Sequence, residues 1–107
     1  MKRGDLVSVA ISGDFGKPRP ALVLQSDRFL ELDTVVVALL TGEIVSAALL
    51  RATIEPDDEN GLRKTSQIMI DKIMTVRREK VGPVFGRLPA RKMTEVVRLL
   101  GLLLDFA

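Results

Sequence analysis

Residues 13–25 read GDFGKPRPALVLQ, a run of glycines and prolines that leads straight into apolar chain. The breakers predict a loop through Pro20 and a buried strand over residues 21–24. Proline has no N–H to give to a sheet, so Pro18 and Pro20 belong at the mouth of that strand or on an edge. Arg19 lies between them. Pro20 keeps the residue before it out of the helical region, so Arg19 is held extended. An arginine restrained in this way loses little backbone entropy on binding an anion, and its planar fork fits a phosphate. Lys17 adds a flexible charge beside it. The plain alternative is a solvated basic loop.

Upstream, Leu6 to Ile11 reads as a strand with Leu6, Ser8 and Ala10 on one face and Val7, Val9 and Ile11 on the other. Downstream, QSDRFLELD is a connection with one helical turn. TVVVALLT, Thr34 to Thr41, is β-branched and continuous, as in a central strand; with Gly42 after it the Thr41 hydroxyl can face a cleft, the plain and stronger alternative being a β-favouring residue that closes the strand. Residues 48–54 form another strand. EPDDENG, with Pro56 and Asn60-Gly61, predicts an exposed turn. TSQIMIDKIMTV places Gln67, Met69 and Asp71 on one face and Ile68, Ile70 and Lys72 on the other, with a bend at Lys72-Ile73. KVGPVFGRL is a last short strand.

The period then changes. In LPARKMTEVVRLLGLLLDFA, Met93, Val96, Val97, Leu100, Leu103 and Leu104 recur at helical spacing, with Pro89 suited to the first turn. Leu99, Leu102 and Phe106 fall outside that stripe. A helix apolar over more than one face predicts a contact with a second copy of the chain; the plain alternative is a wide stripe covered entirely by one sheet. Strands followed by one terminal helix give an α+β domain, or a small barrel with a helix against it.

Composition narrows the chemistry. A chain of 107 residues predicts one domain over 1–107. A net charge of +2 is too small to imply nucleic-acid binding, so a basic site must come from local clustering. The sequence has no cysteine and no histidine, which excludes disulfides, thiolate chemistry and a histidine-based triad, and argues against zinc. The acidic run 55–59 lacks a calcium-loop pattern. The expectation is no metal and no cofactor. The start lacks the features of a signal peptide, and Leu99 to Leu104 is too short to span a bilayer, so a cytoplasmic protein with no membrane partner is expected.

Taken in order, KRGDLVSVA, GKPRPALVLQSD, the strand ending LLT, ENGLRKTSQIMIDKIMTV and the apolar terminal helix resemble the MazF/PemK family of type II toxin–antitoxin ribonucleases. The resemblance implies a small SH3-like β-barrel with a C-terminal helix, the CcdB/MazF-type toxin fold. It implies a homodimer that cleaves single-stranded RNA, mainly mRNA, without a metal, and a cognate antitoxin whose disordered tail covers the RNA groove. The family's catalytic arginine and threonine fall on Arg19 and Thr41. Phe15, Lys17, Ser66, Gln67, Asp71 and Lys72 are the expected RNA-binding residues. Lys72 stands where members of the family often carry glutamine. RNA supplies its own nucleophile, the 2′-hydroxyl, so a chain without histidine or cysteine can still cleave it by positioning and charge stabilisation. Asp14, Glu43 and Asp71 are candidate bases, and Arg19 itself a candidate acid. Two other readings are a toxin of the same fold that poisons DNA gyrase, as in the CcdB family, and an RNA-binding module without turnover.

Overall fold

The computed structural model describes residues 1–11 and 17–106. Among the described residues six strands form one antiparallel sheet: β1 (Asp5–Ala10), β2 (Pro18–Val23), β3 (Thr34–Thr41), β4 (Arg51–Ile54), β5 (Ser66–Arg77) and β6 (Val81–Arg87). Their order is β4-β5-β3-β2-β1-β6, and the helix α1 (Ala90–Leu104) follows. The expected loop through Pro20 is instead strand: Pro18, Arg19 and Pro20 pair with Ala10, Val9 and Ser8 of β1. The steric rule that holds Arg19 extended is already a strand geometry, and only the missing N–H groups are a loss. The ladder from β2 to β3 runs over Ala21–Val23 and stops where Pro20 has no proton to donate.

β3 occupies the expected residues. β4 starts later than expected, because the N–H groups of Leu50 and Arg51 both donate to the Ala47 carbonyl in a turn. The bend expected in β5 is a register shift within one strand. Ala38 pairs with Ile73 but Leu40 with Ile68, so Asp71 and Lys72 fall in a bulge.

Both faces of the sheet are apolar. Leu6, Leu22, Ala38, Leu40, Ile68 and Ile70 face α1 and pack with Met93, Val96 and Leu99. Val7, Val9, Ala21, Val23, Val35 and Val37 form a second cluster on the other face, with no exposed surface. That cluster contains no helical residue, so the twisted sheet must curl over it. The curl does not close. Among the described residues β4 and β6 are the two edges of the sheet, and barrel is too strong a word.

The segment after β4 links the two edges. The Arg87 N–H of β6 donates to the Glu59 carbonyl at 2.9 Å. Asn60 is 1% exposed. Its Nδ2 donates to the Glu55 carbonyl at 2.8 Å, and its Oδ1 accepts from the N–H groups of Asp57 and Leu62 at 3.1 and 3.0 Å. A Cβ at Gly86 would overlap the Asn60 backbone, so glycine is what lets β6 come so close. The expected exposed turn is therefore only half right: its acids face solvent and its asparagine is buried.

The phase of α1 also differs. Met93, Val96, Leu99 and Gly101 are buried, whereas Val97, Leu103 and Leu104 are exposed with Leu102 and Phe106. Spacings of three and four share Met93 and Val96, and the sequence alone leaves open which the sheet selects. The last turn carries its leucines into solvent and ends at Asp105, in the left-handed conformation, with the Phe106 N–H on the Gly101 carbonyl at 3.0 Å. Among the described residues no helix is long and apolar enough to cross a membrane.

Candidate nucleic-acid interface

Strand register assembles a polar row from distant stretches of sequence. Ala21 pairs with Leu39, and Arg19 and Thr41 each lie two residues further along their own strands, so strand alternation puts both on the face of that pair. Thr41 pairs with Gln67, and Gln67 with Thr53. Paired residues project to the same face, so Arg19, Thr41, Gln67 and Thr53 lie along one end of the face opposite α1. Arg19 and Thr41 are half-buried. Lys17 is exposed just before β2. The two residues singled out in the sequence thus share a face, although they lie 22 positions apart in the chain. Asp14 and Phe15 lie outside the described residues.

The Thr41 hydroxyl oxygen accepts the N–H of Glu43 at 3.1 Å. This turn uses one lone pair of Oγ1 and leaves its proton for an outside acceptor. Gln67 is 3% exposed. Its Oε1 accepts the Val45 N–H at 3.1 Å, and its Nε2 donates to the Val45 carbonyl at 3.0 Å and to Thr53 Oγ1 at 3.1 Å. Ser66 is buried too, with its hydroxyl donating to the Lys64 carbonyl at 3.0 Å. Both side chains are spent inside the protein. Between Gln67, Arg51, Thr53 and residues 45–48 lies an open cleft of about 210 Å³. A larger hollow of about 480 Å³, beside Arg3, Arg87 and the start of α1, involves none of the row.

Asp71 shares the face of Gln67 and Met69 and forms an ion pair with Arg51. Partial burial pushes its carboxyl up, but the hydrogen bond from Arg51, a backbone hydrogen bond and the charges of Arg51 and Lys72 outweigh this and hold it below the usual carboxylate range. Lys72 is exposed in the bulge. Sequence reasoning missed Arg51, because its partner lies on another strand and no local pattern marks it. It also missed Thr53, whose only signal was its place in the strand alternation. Among the described residues, no group of three or more acids, histidines or cysteines could hold a metal ion.

The curled sheet and the helix packed on it are the fold of MazF toxins. The fold is shared with an endoribonuclease from a mycobacterial species in complex with its cognate antitoxin, at a TM-score of 0.83 and 19% identity over 100% of this chain and 97% of that one. It is shared also with a MazE–MazF structure from Deinococcus radiodurans, at 0.80 and 22% identity over 100% and 97%. The family model for the PemK-like, MazF-like toxin of type II toxin–antitoxin systems matches residues 2–104, and the chain belongs to that family. It is 41% identical over 108 residues to a probable endoribonuclease MazF of Mycolicibacterium smegmatis, covering 100% of this chain and 99% of that protein.

Proposed function

We propose that this toxin is an endoribonuclease that cleaves single-stranded RNA, with mRNA as its cellular substrate, and that Arg19 and Thr41 act on the scissile phosphate. The observation that carries this reading is the register that brings Arg19 and Thr41 to one end of one face. Family membership supports the activity. It also disfavours a gyrase-directed toxin of the same general fold.

The 2′-hydroxyl attacks the adjacent phosphorus and the 5′-oxygen of the next nucleotide leaves. The products are a 2′,3′-cyclic phosphate and a 5′-hydroxyl. Negative charge grows on the non-bridging oxygens as the fifth bond forms. The Arg19 fork binds those oxygens, and the Thr41 O–H donates to the same phosphate. Thr41 is prepared for donation because the Glu43 N–H already occupies its acceptor side. Asp71 is a poor proton acceptor here, since its carboxyl is held low and engaged by Arg51. The base is then sought in Glu43 or Asp14, with Arg19 able to protonate the leaving oxygen. Lys17, Lys72 and Phe15 extend the RNA contact. Ser66 and Gln67 serve it from inside the fold.

The exposed leucines of the last helical turn make α1 the proposed contact between two copies in a homodimer. A cognate antitoxin would lay an acidic, disordered tail over Lys17 and Arg19. The site of action is the cytoplasm, and no cofactor takes part. The test is incubation of the purified protein with mixed single-stranded RNA in the presence of EDTA. Cyclic-phosphate ends are expected, together with resistance of RNA that carries a 2′-deoxy at the scissile position. Cleavage of the deoxy-substituted RNA overturns the mechanism, and RNA that is bound but never cut would reduce the protein to a binding module.

A further inference from the structure

We infer that Gln67 is a positioning residue for cleavage, acting through the 42–50 loop on the Thr41 hydroxyl. The inference rests on the ribonuclease reading above. Four observations carry it. Gln67 is almost wholly buried, so it does not offer its amide to a ligand. Its amide matches the Val45 peptide on both sides, accepting the Val45 N–H and donating to the Val45 carbonyl, as a neighbouring strand would. Its second N–H goes to Thr53 Oγ1, which fixes the amide's orientation from the β4 side. Its own backbone is paired with Thr41.

The chain from Thr41 to Val45 is therefore pinned at both ends to one residue. At one end the pin is the strand pairing of Thr41, and at the other it is the amide clamp on Val45. Glu43 lies between the two. Its N–H is the donor to Thr41 Oγ1, and that bond keeps the hydroxyl proton out of one of its staggered positions. Release Val45, and the Glu43 N–H is no longer held over Oγ1. The hydroxyl can then rotate, and its donation to the phosphate loses alignment. A donor misplaced by about 1 Å can cost about 100-fold in rate.

The chemistry predicts a signature that a merely structural residue would lack. Gln67→Leu removes the clamp, and Gln67→Glu keeps an acceptor for the Val45 N–H but sets a carboxylate against the Val45 carbonyl. Each should lower kcat about 10- to 100-fold, with Gln67→Glu the milder, while KM changes less than about threefold. The decisive measurement is a double-mutant cycle in single-turnover RNA cleavage. In a Thr41→Ala background, Gln67→Leu and Gln67→Glu should have almost no further effect, because the group they position is gone. Circular dichroism confirms that the folded fraction is being compared. Full additivity with Thr41→Ala overturns the inference, as does undiminished kcat in both single variants. A change confined to KM would make Gln67 an RNA contact instead, and also overturns it. Wild-type protein that cleaves no RNA at all would bring down the ribonuclease reading first, and this inference with it.

Discussion

Two buried amides hold two loops of this protein, and they do so differently. Asn60 bonds to groups within five positions of itself. Gln67 reaches a residue 22 positions away. The asparagine gives its own loop a shape, and that shape happens to fit beside β6. The glutamine gives another loop a place, beside the row that holds Thr41. Loss of the first should unfasten the seam between the turn at Asn60 and β6. Loss of the second should disturb the reaction even where the fold survives. If the proposed role of Gln67 holds, burial and full hydrogen bonding do not by themselves separate a structural amide from a functional one; what the bonded partner carries does.

The largest effect is expected where the row meets its substrate. Arg19→Ala should lower cleavage by about 10³-fold or more, near the upper range for one preorganised donor, with Tm within about 2 °C of wild type because a half-buried arginine adds little to the core. Wild-type cleavage by Arg19→Ala protein would empty the comparison, since the row near Gln67 would then have no special standing. Asn60→Ala comes next. It should cost about 2–3 kcal/mol in urea unfolding, as its partners are left unsatisfied in a buried seam. The kcat of the folded fraction should stay at the wild-type value. A kcat loss as large as that of Gln67→Leu would erase the distinction between the two amides.

Leu102→Asp probes a third region, the open end of α1. A buried leucine is worth about 1.5–3 kcal/mol, and a two-fold contact counts it twice, so light scattering at micromolar concentration should show a shift toward monomer. A monomeric wild type with full activity would separate the helix end from the reaction altogether. The smallest effect belongs to Asp71. Its carboxyl is held below the ordinary value in the folded state, so the stabilisation is present above the unfolded pKa of about 4 and is lost as pH falls below it. The loss should stay under about 1 kcal/mol, the range of partly exposed ion pairs. Asp71→Asn should flatten that acid limb in urea titrations taken between about pH 5 and 2. An unchanged limb would mean that the Arg51 pair contributes nothing.

The legible parts of the chain were those governed by short-range rules. The β-branched run Thr34–Thr41 fell where expected because nothing in it competes with extended backbone. Pro18 and Pro20 misled because a proline reads as a breaker, while β2 needs donors only where it meets β3. The phase of α1 was ambiguous in sequence, since the sheet and not the helix decides which leucine is covered. Asn60-Gly61 announced a turn, and Gly61 does adopt φ of 65°, but burial of the asparagine depended on the distant Gly86. Arg19 and Thr41 were singled out in the sequence, the first as a candidate anion holder and both by family resemblance, and their role remains the proposal made above. Their shared face required strand register. The clamp from Gln67 to Val45 had no local signal, because an amide inside an apolar strand looks the same whether it points at solvent or at a loop.

The placement of β6 bears on how the toxin comes into being. β1 lies between β2 and β6, and Asp5 pairs with Arg87. During synthesis β1 must therefore wait for β6 before its second edge is covered. Contacts between chain ends are slow to form, because a long loop has to close before they are made. A nascent chain that has already displayed Arg19 and Thr41 still lacks the strand that completes its sheet. The cell making this protein thus has an interval, set by synthesis of residues 81–87 and the helix behind them, in which the poison is present as sequence but unfinished as a fold.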